Sequence, residues 1–179
     1  EISECLVGSE MCIRDRPKYV FIFEGAYDAM AFQQIHNVKV RLEDCAFVSV
    51  GGSFSDEQFK QVINQYPNAK KVLCFDNDLN GRMYDIRAYG IINNLDMKTS
   101  INRENGDIKI DVGNKGIFEL PEDKVSLNEF FKLSGYRQHP DLTIRKAPNG
   151  LKDWNEVLTR NLPIEDLHSA YEKKNNLSR

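Results

Sequence analysis

Two short stretches of this 179-residue chain bring acidic side chains to the ends of apolar runs: Phe23-Glu24-Gly25-Ala26-Tyr27-Asp28 and Phe75-Asp76-Asn77-Asp78-Leu79-Asn80-Gly81-Arg82. In an open α/β sheet, ligands gather at the carboxyl ends of the strands. Three carboxylates delivered there would form a hard-oxygen cluster suited to Mg2+ and phosphate chemistry. Glu24 could accept a proton from an attacking hydroxyl or hold a metal, and Gly25 allows a tight turn and close backbone approach. A glutamate favoured by a helix dipole would look the same in isolation. Asp76 and Asp78 alternate along an extended segment, so both carboxylates face one side while Asn77 points away. Two like charges that close repel unless a cation neutralises them; a bare Asp-x-Asp is also a common turn. Asp28, four residues after Glu24, either supports it or plays a purely structural part.

Further candidates lie nearby. Gly81 would permit the turn into a helix, and Arg82 near that helix start either contacts a phosphate or faces solvent. The backbone of Ser49-Val50-Gly51-Gly52-Ser53 could receive an anion or form a plain tight turn. In Lys152-Asp153-Trp154-Asn155-Glu156, Asp153 can cap a helix with Glu156 completing the box, and Trp154 reads as a packing residue. His36, His139 and His168 are scattered on loops or polar faces without a nucleophile or ligand partner, and no tyrosine sits in a recognisable catalytic setting. With no CxxC or His-rich pattern, zinc is not indicated. Cys45 and Cys74 lie in apolar contexts, as buried thiols of a reducing cytosol do.

The elements that must position these residues follow from periodicity. Tyr19 to Phe23 is a continuous β-favouring run, as expected of a strand covered on both faces. A helix from about Tyr27 to Ile35 follows, then a strand at Ala46 to Val50 and a helix opened by Ser55, whose capping box Gln58 completes. Val72 to Phe75 is the third strand, and Met83 to about Asn93 a helix with Tyr84, Ala88, Ile91 and Ile92 inward. Strands alternating with helices of about ten residues predict a parallel sheet with right-handed crossovers. From Asn94 to about Pro140 the rhythm changes to an insertion: Thr99 to Ile101 and Ile108 to Val112 flank the hairpin signal Asn105-Gly106, and Ser126 with Glu129 caps a short helix. Leu142 to Lys146 resumes as a strand, and Pro163 to Lys174 is a terminal helix. No run of 18 apolar residues exists, so nothing is expected to span a membrane. The net charge of −3 argues against a free-standing duplex binder, whose domain is normally basic.

The two acidic segments together resemble the TOPRIM domain shared by bacterial primases, type IA and II topoisomerases and some nucleases. The strand-Asp-x-Asp-x-x-Gly-Arg pattern at Asp76 to Arg82 is matched residue for residue, and Lys152-Asp153 resembles the Gly-Lys-Asp segment that closes primase-like members, although Leu151 here separates Gly150 from the lysine. The resemblance implies a Rossmann-like α/β TOPRIM fold with a mainly parallel sheet flanked by helices. It makes Glu24 the general base or acid; Asp76, Asp78, Glu24 and Asp153 the holders of Mg2+ or Mn2+; Asp28 their support; and Arg82 and Lys152 the contacts to nucleic acid or phosphate. It implies a DNA primase-like nucleotidyltransferase, or alternatively a TOPRIM nuclease or a non-catalytic binding module. Nucleic acid and nucleotides are the implied partners, with helicase or mobilisation proteins of a bacterial mobile element beside them, in the cytoplasm.

Leu6 to Arg16, LVGSEMCIRDR, resembles one frame of a widely used transposon-based sequencing adapter, and Cys5 fits its upstream bases. Residues 1–16 are therefore expected to be an artefactual leader that barely touches the domain formed by residues 17–179. The natural chain would then begin upstream of Pro17, with an N-terminal domain missing here. Leaving the leader out removes four acids and two bases and moves the net charge from −3 to −1.

Overall fold

The computed structural model describes residues 10–12, 17–36, 41–103 and 105–160. Strand β1 (Glu10–Cys12) is followed by β2 (Tyr19–Phe23), helix α1 (Ala26–His36), β3 (Cys45–Ser49), α2 (Asp56–Gln65), β4 (Lys70–Leu73) and α3 (Leu79–Ile92). Then come β5 (Lys98–Ile101), β6 (Ile108–Asp111), β7 (Ile117–Leu120), α4 (Leu127–Ser134), β8 (Leu142–Ile144) and the short α5 (Trp154–Thr159). The main sheet has the order β1-β3-β2-β4-β8, parallel throughout except for β1, which runs antiparallel to β3. This is the expected Rossmann-like α/β fold.

The apolar runs are continuous because both faces of the sheet are covered. Phe21 and Phe23 of β2 and Phe47 of β3 join Phe32 of α1 and Trp154 of α5 on one face. Val20, Ile22, Val48 and Leu73 point the other way, into a core completed by Phe59 of α2 and by Ile86 and Tyr89 of α3. Chain order and sheet order reverse between β2 and β4: β3 lies on one side of β2, and the chain returns past it to form β4 on the other. Residues leaving the carboxyl ends of β2 and β4 therefore flank the topological switch point, where ligands of such sheets bind.

Several elements differ from expectation. Helix α3 starts at Leu79, four residues before Met83, because Asp78 caps it, its Oδ1 accepting from Gly81 N at 2.9 Å. Gly81 therefore belongs to the first turn of a helix rather than to a turn preceding one; a Cβ there would lie 2.8 Å from the Asp76 backbone nitrogen. The Ser55 cap holds, yet the Gln58 side chain donates to Val50 O rather than closing the box. The insertion contains a third strand, β7, and forms an antiparallel sheet in the order β5-β6-β7. Its Ile108, Ile110, Leu120 and Phe130 are buried in the same core as β2 and α3. His36 is buried rather than on a polar face, stacked 4.1 Å from the Phe32 ring. The leader is not contact-free: Glu10, Met11 and Cys12 pair with Val48, Phe47 and Ala46. An open strand edge offers backbone donors and acceptors to any extended segment whatever its sequence, which accounts for that pairing. The proposed terminal helix, Pro163 to Lys174, lies outside the described residues.

Candidate metal and phosphate site

Glu24 leaves β2 and is fixed through its backbone. Its carbonyl accepts from Gly52 N at 2.9 Å and from the buried Ser49 hydroxyl at 3.2 Å. Gly51 and Gly52 have φ of 76° and 99°, left-handed conformations that favour glycine. Gly51 N points to Ser49 Oγ, so both glycine N–H groups serve the fold and the segment is a tight turn holding Glu24, not an anion receptor. The Glu24 carboxyl is less committed: its Oε2 is buried without a hydrogen-bond partner. Burial first, then Asp76 and Asp78, push its pKa up to about 7, with Lys152 opposing.

Asp76 and Asp78 follow β4. Asp76 is buried, and burial and the neighbouring carboxylates, Asp28 first among them, raise its pKa. Asn77 points away from the pair, as the alternation required. Its Nδ2 donates to Ala147 O at 2.9 Å and to Leu151 O, and its N–H donates to Lys152 O at 2.7 Å. This clamp brings the segment before α5 against the Asp-x-Asp loop. Lys152 Nζ consequently sits 3.4 Å from Asp76 Oδ2 and 3.8 Å from Asp78 Oδ2, and these acids raise its pKa.

Asp153 caps α5, accepting from Glu156 N at 2.7 Å, while the Glu156 carboxylate accepts from Lys152 N. Asp28 accepts from Asn155 N at 3.1 Å, so it ties the start of α5 to α1. That is a structural bond, yet it also holds the segment carrying Lys152 and Asp153 in place. Trp154 is a packing residue, 1 % exposed and edge-on to Phe32. Arg82, the fourth residue of α3, is half-buried with its Nε unpartnered, so it is not simply solvent-facing.

Glu24, Asp76, Asp78 and Lys152 are thus brought together, with Asp28 and Asp153 beside them. Among the described residues, however, no three His, Cys, Asp or Glu side chains are grouped as a ligand set. The Lys152 ammonium lies against both Asp76 and Asp78 and offsets the repulsion between their carboxylates. The fit to a hard cation rests on the donors themselves, all carboxylate oxygens, on the orphaned Glu24 Oε2, and on an ammonium already standing in for positive charge.

Sequence reasoning missed Lys146 and Asp85. Lys146 Nζ lies 2.8 Å from Asp85 Oδ2 and donates to the carbonyls of Phe75, Asp76 and Gly81, under the loop that bears the acids. The available signal was an acid on the inward face of α3, three residues before Ala88 and seven before Ile92.

A doubly covered parallel sheet with carboxylates at its switch point defines an α/β domain of the Rossmann-like class. The Toprim-like family pattern matches residues 21–110, half of the chain, and the chain belongs to that family. Domains of this family occur in nucleic-acid enzymes such as primases, nucleases and topoisomerases. The match takes in Glu24, Asp76, Asp78 and Arg82 and ends in β6, before Lys152 and Asp153. No curated protein and no solved structure matches the chain.

Proposed function

We propose that this protein is a Mg2+-dependent, primase-like TOPRIM enzyme that transfers nucleotidyl groups on nucleic acid, with residues 17–179 as its TOPRIM domain. The observation that carries the reading is the unpartnered, buried Glu24 Oε2 beside Asp76 and Asp78 at the switch point. Asp76 and Asp78, with Glu24 and Asp153 at hand, would hold Mg2+ or Mn2+. When bound, that ion would neutralise charge on phosphate oxygens. Glu24 exchanges a proton at Oε2 with the attacking or leaving hydroxyl. Lys152, displaced from the carboxylates, turns its ammonium to phosphate, and Arg82 at the start of α3 adds a guanidinium. Asp28 keeps the α5 segment in register. The buried thiols Cys45 and Cys74 suit a reducing cytoplasm, and no helix among the described residues is long and apolar enough to cross a membrane.

The test is incubation with labelled single-stranded DNA, ribonucleotides and Mg2+ or Mn2+, alone and with helicase-type partners. Template-dependent oligonucleotide synthesis that Glu24→Gln abolishes supports the reading. Strand cleavage lost in the same variant would make the protein a nuclease, and metal-independent binding without turnover would make it a binding module.

A further inference from the structure

We propose that Lys146, neutralised by Asp85, is the positioning residue of the acidic site: it pins from below the loop that presents Asp76 and Asp78. The proposal rests on the reading of those carboxylates as a divalent-cation site. Lys146 Nζ donates to Phe75 O at 3.1 Å, Asp76 O at 2.9 Å and Gly81 O at 3.4 Å, and stands 2.8 Å from Asp85 Oδ2. An ammonium has three donors, so these four acceptors use all of them. Phe75 and Asp76 lie beyond β4, where their carbonyls need partners from outside the ladder. Gly81 O belongs to the first turn of α3. One side chain from the segment just beyond β8, the strand next to β4, therefore joins both ends of the segment that contains Asp76 and Asp78.

A buried ion pair is by itself weak evidence for stability. Asp85 is 3 % exposed and its Oδ1 has no partner. Burial pushes its pKa up to about 6 in spite of Lys146. A buried ion pair left half-satisfied is often replaced by apolar groups at no cost. What the pair provides is placement without net charge. A lone ammonium under Asp76 would repel a divalent ion, and Asp85 cancels it.

Because the pair is neutral, the double variant Lys146→Met/Asp85→Asn keeps the charge and removes the pin, and it remains informative should Lys146→Met alone fail to fold. Two readouts are compared with the wild type and with Lys60→Met, an exposed control: amide exchange across residues 77–82, and Mn2+ affinity by electron paramagnetic resonance. The expected result is faster exchange confined to that segment and Mn2+ binding weaker by about tenfold or more, with the control unchanged. Unaltered exchange, or Mn2+ affinity equal to wild type in the double variant, overturns the positioning role while leaving the metal reading intact. Absence of Mn2+ binding in the wild type itself would sink the metal reading, and this proposal with it.

Discussion

Glu24 takes up its proton more readily in the folded protein than in the unfolded chain, since burial and the charges of Asp76 and Asp78 raise its pKa from 4.5 to about 7. The folded state then binds more protons between those values, so stability falls as pH rises through that window. Asp85, raised from 3.8 to about 6, acts in the same direction over a lower range. Melting temperatures of the metal-free protein are expected to decline from pH 5 to pH 7.5, with a shallower decline in Glu24→Gln; equal slopes in the two proteins would remove Glu24 from the electrostatic cluster. Asn77 supports a separate expectation. Its side chain is the donor to the carbonyls of the buried Ala147 and Leu151, and leaving buried acceptors unpaired costs about 1–3 kcal/mol. Denaturant melts of Asn77→Ala should show a loss of that size, together with a weaker metal response, because Lys152 and Asp153 lose their clamp. A loss of stability with an unchanged metal response would separate the clamp from the site.

At the scale of elements, the start of α3 is the most constrained point. Replacing glycine by alanine inside a helix ordinarily gains roughly 1 kcal/mol. At Gly81 the sign reverses, because the added Cβ meets the Asp76 backbone rather than a movable side chain. Gly81→Ala is expected to destabilise by about 1–3 kcal/mol, as overpacking does, in urea melts; a gain would mean that the loop is free to move. The same junction marks how far the sequence could be read. The apolar runs of β2, β3 and β4, the Ser126 cap and the carboxylates after the strands were legible, because burial on both faces and capping chemistry leave local traces. The true start of α3 was not: Asn80-Gly81 carries a turn signal, and only the tertiary approach of Asp76 shows why glycine stands inside a helix. Lys146 was equally hidden, since its partners, from Asp85 to Phe75, lie 61 to 71 residues away along the chain.

For the whole molecule, the insertion and the domain form one core, with Phe130, Ile108 and Ile110 buried alongside Ile22 and Leu73. The strand β7 escaped prediction because the alternation in Ile117-Phe118-Glu119-Leu120 is too short to stand out; its place is set by pairing with β6. Trimming to Pro17 removes a three-residue edge strand and is expected to leave the melting temperature unchanged within error, whereas a drop of several degrees would place residues 1–16 in the fold. The central claim, that Asp76 and Asp78 hold a divalent cation, is tested most directly by thermal melts with and without millimolar Mg2+ on the wild type, Asp76→Asn, Asp78→Asn and the distant control Asp107→Asn. Asparagine remains a competent helix cap at position 78, so that variant isolates the charge. Wild type and control should gain about 2.7 kcal/mol at a concentration a hundredfold above the dissociation constant. The two site variants should lose most of that gain while their metal-free stability holds or rises. Equal shifts in all four proteins, or none in the wild type, would contradict the account.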